Sequence, residues 1–117
     1  MARKSKPPVV TAQAPIKFAP RLETLRDLVH RLAADTDNIR WSTHALERME
    51  ERGITDKMAV EVLQKGECKG TPEPGKNPGE WKVKLVRRMK GRREAGVVVL
   101  TVHNGRLLVK TAEWEDL

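Results

Sequence analysis

The chain has 117 residues, enough for one small domain with a hydrophobic core. A single cysteine excludes a disulfide-stapled scaffold, and the longest apolar run, Val97 to Leu100, is too short to span a membrane. The basic N-terminal sequence lacks the apolar stretch of a secretion signal. We therefore expect a cytoplasmic protein with a reduced cysteine and no membrane association.

The net charge of +7 is concentrated in two segments. Residues 1–20 carry four basic and no acidic side chains, and residues 82–93 carry seven basic and no acidic side chains. A concentrated basic segment is typical of a surface that binds a polyanion or an acidic protein. It is equally typical of a strand edge that Lys and Arg protect from aggregation. The charge pattern by itself leaves both interpretations open.

The N-terminal third of the chain divides into a tail and a helix. Residues 1–19 contain three prolines and no apolar period, which predicts a disordered basic tail ahead of a single domain over residues 20–117. Apolar residues then recur at helical spacing, which predicts an amphipathic helix over about residues 20–34. His30 lies off the apolar stripe of this helix and is expected to be solvated.

Two further short helices are predicted from the signals at their ends. Ser42-Thr43 and Thr55 suit the N-cap position, and a glycine follows each helix. The predicted helices cover about residues 43–52 and, after the Thr55 cap, residues 56–65. Residues 66–79 are rich in Gly and Pro, which predicts a flexible loop.

The last third of the chain predicts strands. Residues 81–86 alternate between apolar and basic side chains, residues 91–96 form a charged turn, and residues 97–102 form the central, most buried strand. Asn104-Gly105 is a strong hairpin signal, after which the chain runs back along that strand. The predicted fold class is α+β, with N-terminal helices packed on a C-terminal three- to four-stranded antiparallel β-sheet.

Three residues of the second predicted helix form the first candidate site. His44, Arg48 and Arg52 are spaced four residues apart, so they share one helical face. Two neighbouring guanidinium groups disfavour an imidazolium, which leaves a neutral imidazole able to accept a proton near neutral pH. The arginines could bind a phosphate, so the three side chains would supply a base and a charge clamp for RNA cleavage. The alternative is that His44 hydrogen-bonds locally in the first helical turn while the arginines pair with neighbouring acids, namely Glu47, Glu50 or Glu51.

The basic segment supplies a second set of candidates, for nucleic-acid binding. Lys82, Lys84 and Arg88 share one strand face. Arg87 belongs to the opposite side, that of Trp81, Val83 and Leu85. One of the two arginines must therefore be bent outward or paired, unless a bulge intervenes. The full predicted nucleic-acid-binding set is Lys82, Lys84, Arg87, Arg88, Arg92 and Arg93.

Four remaining residues have chemistry that the pattern leaves open. His103 is a second candidate catalytic imidazole, although a histidine beside a turn is often simply solvated. Trp81 and Trp114 can serve as packing anchors or as base-stacking platforms, and packing is the better expectation for Trp114. Cys68, in the predicted loop, is expected to be inert. The sequence has no Gly-rich phosphate loop and no Cys–His metal spacing, so we expect no metal and no organic cofactor.

Two segments resemble a small bacterial family. The first is Trp41-Ser-Thr-His44-Ala-Leu-Glu-Arg48-Met-Glu-Glu-Arg52-Gly-Ile-Thr55, which contains a His-Ala-x-x-Arg-Met-x-x-Arg-Gly-Ile motif. The second is Gly79-Glu-Trp81-Lys-Val-Lys-Leu-Val-Arg87-Arg88-Met-Lys-Gly91-Arg. Over about residues 39–112 the chain is similar to domain-of-unknown-function family 4258.

This resemblance implies a compact fold like that of the RelE, BrnT and MqsR toxins of bacterial two-gene toxin–antitoxin modules. The implied partners are RNA, including ribosome-bound mRNA, and an antitoxin of helix-turn-helix or zinc-finger type that covers the basic face. The family positions that match in this chain are His44, Arg48, Arg52, Trp81, Lys82, Arg87 and Arg88.

The residues and the resemblance together predict a toxin-like, metal-independent endoribonuclease of the mRNA interferase type. His44 or His103 would act as base or acid, and the arginines would clamp phosphate. Such cleavage uses the 2′-hydroxyl of the RNA itself, so no protein nucleophile is needed. Two alternatives stay open: a non-catalytic RNA- or DNA-binding module, and a protein-interaction or inhibitor protein whose basic face meets an acidic partner.

Overall fold

The computed structural model describes residues 20–101 and 104–116, over which the chain folds into three α-helices and five strands. The helices are α1 (Leu22–Ala33), α2 (Thr43–Arg52) and α3 (Asp56–Lys65). The strands are β1 (Ile39–Trp41), β2 (Glu67–Pro74), β3 (Trp81–Arg88), β4 (Glu94–Thr101) and β5 (Leu107–Trp114). The predicted α+β class is confirmed. The predicted tail over residues 1–19 lies outside the described residues.

Helices α2 and α3 begin where the sequence predicts, because polar side chains cap them. The Ser42 hydroxyl accepts a hydrogen bond from the backbone N–H of Ala45 at 3.0 Å, and the Thr55 hydroxyl accepts one from that of Met58 at 3.1 Å. Gly53 ends α2 in the left-handed conformation, with a φ of 69° that glycine adopts without steric cost. Each cap satisfies backbone groups that a helix end leaves unpaired.

Helix α1 packs on α3 and β2 through Leu25, Val29 and Ala33, which are almost fully buried. Its contact surface is wider than this apolar stripe, because His30 is half-buried and its Nε2 lies 2.7 Å from the carbonyl oxygen of Gly66. The expectation of a solvated His30 is therefore wrong. The imidazole donates this hydrogen bond, which attaches α1 to the junction between α3 and β2.

The five strands form one sheet in the order β1-β5-β4-β3-β2. Neighbouring strands are antiparallel except for β1, which runs parallel to β5 with Ile39 opposite Leu107. Strand β4 lies at the centre, as predicted, and its Val97 and Val99 are fully buried. Helix α2 packs on β5, and α3 packs on β3 and β4.

The sequence pattern did not predict strands β1 and β2. The prediction of a three- to four-stranded antiparallel sheet is therefore wrong in detail, because the sheet has five strands and is mixed. The predicted loop is edge strand β2, which pairs with β3 and shifts register between Lys69 and Glu73. Pro72 and Pro74 are tolerated there because one side of an edge strand pairs with no neighbour. Strand β1 has only three residues, too few to show an alternating pattern.

The sheet has a helix-covered face and an open face. Side chains that point toward the helices are buried: Val83, Leu85, Val97 and Val99. The alternating side chains of the same two strands are only partly buried and form the open face: Lys82, Lys84, Val98 and Leu100. Basic residues of one strand are thereby divided between two surfaces of the molecule.

Candidate nucleic-acid interface

The predicted catalytic residues of α2 lie along one side of the helix but are engaged differently. His44 is exposed in the first turn and has no hydrogen-bond or ion-pair partner among the described residues. Arg48 donates through Nη1 to Oε1 of Glu51 at 2.6 Å, which is one of the pairings that the sequence left open. The axial rise of the helix separates His44 from Arg52 by about 12 Å. The two side chains therefore start from opposite ends of α2.

Arg52 is directed at strand β5. Its Nη1 donates to the carbonyl oxygen of Ala112 at 2.7 Å, and its own carbonyl oxygen accepts from Nε1 of Trp114 at 2.6 Å. A charge-assisted hydrogen bond of this kind is among the stronger ones in proteins. The reciprocal pair attaches the end of α2 to β5, and Trp114, which is buried, acts as a packing anchor.

Most of the basic segment is neutralised by acids from distant parts of the chain. Ion pairs within the described residues join Lys82 to Glu73 at 3.2 Å, Lys84 to Glu113 and Glu115 at 2.8 and 2.6 Å, Arg87 to Glu61 at 2.8 Å, and Arg93 to Asp116 at 3.4 Å. Arg87 thus lies on the helix side, as the strand alternation predicts, and its pairing with Glu61 decides which of the two arginines is paired. Its hydrogen bond holds the pKa of Glu61 below the ordinary value of a glutamate.

Three bases at the connection between β3 and β4 differ from these, and we call Arg88, Lys90 and Arg92 the basic turn. All three are exposed and have no ion-pair partner in residues 20–101 and 104–116. Arg88 stands opposite Glu94 in the β3–β4 ladder, yet the two side chains form no ion pair. Gly91 and Arg92 both have a φ of 76°, a left-handed conformation that costs a non-glycine residue about 1–2 kcal/mol.

A cleft of about 880 Å³ adjoins the basic turn, between the first half of α3 and the end of β3. Its lining consists of Lys57, Met58, Glu61, Arg87, Arg88, Met89, Lys90 and Trp114. The Met58 sulfur accepts the backbone N–H of Thr55 at 3.5 Å, so the cap of α3 also holds part of the cleft wall.

The sequence analysis did not identify Lys57, Met58 and Met89 as site residues. No periodic pattern connects the start of α3 with the end of β3, because only the folded chain brings these segments together. The sequence contained one signal of this contact, namely that Arg87 places a charge on the apolar side of β3 and so requires a partner. In the structure that partner is Glu61 of α3, so the ion pair joins the two elements.

The open face carries a buried ion cluster. Nζ of Lys84 lies 2.6 Å from Oε2 of Glu115, a close ion pair rather than an aligned hydrogen bond, and Nζ of Lys69 lies 3.0 Å from the other oxygen. The Glu115 side chain is only 6% exposed. Burial alone would raise the pKa of Glu115, but the two ammonium groups outweigh it and hold that pKa below its ordinary value. A Cβ on Gly96 would lie 2.5 Å from Oε2 of Glu115, so the glycine makes room for the cluster.

The remaining candidate residues are His103, Trp81 and Cys68. His103 lies outside the described residues. Trp81 is buried, and its backbone N–H donates to the Thr101 hydroxyl at 3.1 Å, so it is a packing residue. Cys68 lies in strand β2 instead of a loop, and burial raises the pKa of its thiol, which disfavours the reactive thiolate.

Within residues 20–101 and 104–116, no three His, Cys, Asp or Glu side chains lie close enough together to hold a metal ion. In the same part of the chain, no helix is long and apolar enough to cross a membrane.

Comparison with known proteins connects these features with a family. The family described as Domain of unknown function (DUF4258) matches residues 41–114. The match includes His44, the basic turn and the residues of the cleft, whereas α1 precedes it. No curated protein and no solved structure matches the chain significantly. Because the match covers more than half of the sequence, the chain belongs to the DUF4258 family.

Proposed function

We propose that this protein binds RNA phosphates through the basic turn and is a toxin-like, metal-independent endoribonuclease. The observation that carries the proposal is the contrast in pairing within the basic segment. Arg88, Lys90 and Arg92 have no acidic partner among the described residues, while neighbouring bases are neutralised. Exposed cations of this kind displace counterions from a phosphate backbone, which drives nucleic-acid binding.

His44 is the residue best suited to proton transfer in this proposal. Cleavage by the 2′-hydroxyl of RNA needs a base within hydrogen-bond reach of that hydroxyl. His44 is exposed, and no described residue engages its ring nitrogens. Arg48 lies one turn further along the helix and would exchange Glu51 for a phosphate. An exposed ion pair contributes only about 0–1 kcal/mol, so this exchange costs little.

The fold type, the RNA target and the protein partner in this proposal are taken from the resemblance to the RelE, BrnT and MqsR toxins. It implies a compact fold of that kind, action on cytoplasmic RNA including ribosome-bound mRNA, and an antitoxin partner of helix-turn-helix or zinc-finger type. An antitoxin that covers the basic turn would block RNA by occupying the same cations. The exposure of all three basic-turn residues supports this placement of the partner.

A second candidate function is RNA or DNA binding without cleavage. It is favoured by Arg52, whose Nη1 donates to the Ala112 carbonyl and whose backbone holds Trp114. With Arg52 committed to packing, Arg48 would be the one arginine of α2 left to stabilise the charge that develops on phosphorus, and in the structure it is paired to Glu51.

Induced expression in bacteria distinguishes the two candidates. Wild type, His44→Ala and the control Glu47→Ala, an exposed change on the same helix, are compared by growth and by integrity of total RNA. We expect growth arrest and RNA fragmentation with wild type and the control only. Arrest with His44→Ala as well removes His44 from the chemistry, and intact RNA with normal growth in every case contradicts the toxin proposal.

Binding is tested separately with purified protein. We expect the triple variant Arg88→Gln, Lys90→Gln, Arg92→Gln to bind RNA more weakly, with a salt dependence reduced by about one unit of slope per lost phosphate contact. The control is Lys110→Gln, which removes an exposed base on β5. Wild-type affinity in the triple variant would show that the basic turn is not the RNA-binding surface.

A further inference from the structure

We propose that the cleft between α3 and the end of β3 binds one unpaired nucleotide of single-stranded RNA. The base would lie against Met58, Met89 and Trp114, and its phosphate would meet Arg88 and Lys90. This inference rests on the proposed RNA binding and adds which form of RNA is recognised. It also assigns a role to residues that the proposed cleavage does not use.

The size and floor of the cleft fit a nucleotide. Its volume of about 880 Å³ lies within the range of about 300–1,000 Å³ that is typical of small-molecule sites. Met58, Met89 and Trp114 give it an apolar floor, and thioether sulfurs make favourable contacts with aromatic rings. The cap of α3 holds the Met58 sulfur on the N–H of Thr55, so part of the floor is preformed.

The charge at the rim of the cleft fits a phosphate. Four of its lining residues are basic, and its one acid, Glu61, is already neutralised by Arg87. Lys57, Arg88 and Lys90 have no ion-pair partner among the described residues. An apolar floor beneath unpaired cations suits a nucleotide, because a nucleotide joins a flat aromatic base to an anionic phosphate.

A second stacking surface lies beside the cleft. The guanidinium carbon of Arg93 sits 3.9 Å above the centre of the Trp114 ring, and the Arg93 side chain is 42% exposed. The guanidinium therefore lies over the ring, and unpaired bases commonly stack on arginine guanidinium groups. An acidic peptide would satisfy the cations but would leave this stacking surface unused, which favours RNA as the occupant.

Single-stranded RNA fits better than a duplex. A duplex keeps its bases stacked inside and presents mainly phosphates and 2′-hydroxyls, so it could use the basic turn but not the apolar floor. A single strand can insert a base and place the adjoining phosphate at the rim. Base insertion therefore predicts a preference between two forms of RNA with the same backbone charge.

The test compares a fluorescently labelled uridine-rich oligonucleotide with a duplex of equal length, both titrated with full-length protein. We expect the single strand to bind about ten-fold more tightly. Met89→Ala should lower single-strand affinity about three- to ten-fold and leave duplex affinity unchanged. Arg88→Gln should weaken both. The matched control is Leu46→Ala, which removes an exposed apolar side chain on α2 outside the cleft lining.

The outcomes separate this inference from the proposed function. If neither RNA form binds, both are overturned. If the two forms bind equally, or if Met89→Ala leaves single-strand affinity unchanged, the nucleotide site is overturned while RNA binding stands. Binding of an acidic, tryptophan-containing peptide that depends on Met89, in the absence of RNA binding, would identify a protein as the occupant. Met89→Gln replaces the alanine variant if circular dichroism shows that the latter is unfolded.

Discussion

The basic segment has two parts that share residue types and differ in environment. The strand part, represented by Lys82, Lys84 and Arg87, pairs with acids from β2, β5 and α3. The turn part, Arg88, Lys90 and Arg92, has no such partner among the described residues. Charge density along a sequence therefore does not measure the charge that a ligand can reach. Long-range topology decides which bases stabilise the fold and which are available for binding.

The sheet explains the division. Strand β3 lies between β2 and β4, so its lysines on the open face are within reach of acids on neighbouring strands. Lys84 even reaches across β4 to Glu113 of β5 and to Glu115 just after that strand, because Gly96 has no side chain to block the path. The connection to β4 extends past the ladder, and its Arg93 pairs with Asp116, whereas its Lys90 and Arg92 have no acidic partner among the described residues.

The largest effect that would test this comparison comes from Lys84→Ala. The change removes the closest cation from a carboxylate that is 6% exposed, so we expect the free energy of unfolding to fall by about 2–4 kcal/mol. Urea denaturation at neutral pH measures it. Lys82→Ala is the matched control, because its partner Glu73 is exposed and the pair should contribute less than about 1 kcal/mol. Equal losses would show that the two lysines have the same role.

A smaller effect is expected from Gly96→Ala. The new Cβ would lie 2.5 Å from Oε2 of Glu115 and 2.8 Å from Cε of Lys84, so these side chains must move apart. Because both contacts are with ends of side chains and not with backbone, we expect a loss of about 1–2 kcal/mol. In a Lys84→Ala background the same substitution should cost less, as a double-mutant cycle would measure. Additive losses would mean that Gly96 acts independently of the ion cluster.

Local signals in the sequence were sufficient for the helices and the central strand. Ser42, Thr55 and Gly53 fix the ends of α2 and α3, since capping depends on residues adjacent in sequence. The edge strand β2 could not be predicted, because its Gly and Pro content is typical of loops and only pairing with β3 makes it a strand. Strand β1 was missed for a related reason, as three residues carry no period.

The candidate site was less predictable than the fold. The strand alternation correctly separated Arg87 from Lys82 and Lys84, because that depends on a period of two. Which bases stay unpaired depends on acids far away in sequence, such as Glu61, so the spacing of residues 82–93 could not reveal it. The roles of His44 and of the basic turn in RNA chemistry stay predictions.

Low pH should reduce the contribution of the ion pairs in the strand part to the free energy of unfolding. The folded pKa of Glu115 is lowered, so its contribution is present above the unfolded value of about 4.3 and is lost as pH falls through the folded value. Glu61 also has a lowered pKa and adds to the acid dependence of the wild type. The stability difference between wild type and Lys84→Ala should therefore shrink below about pH 4.3, as urea titrations at several pH values would show. A stability difference that does not change with pH would contradict the role of the ionised Glu115 carboxylate in the ion cluster.

The smallest effect on stability should come from the turn part, through Arg92→Gly. Glycine relieves the left-handed strain at a φ of 76° but raises the entropy of the unfolded chain, so we expect a change of only about 0–1 kcal/mol toward greater stability. RNA affinity should fall, and the salt dependence of binding should lose about one unit of slope. Arg92→Asn is the companion variant, because asparagine tolerates this backbone conformation and also lacks the charge. A clear loss of stability in Arg92→Gly would mean that Arg92 is bonded within the fold, and the contrast between the two parts of the basic segment would then fail.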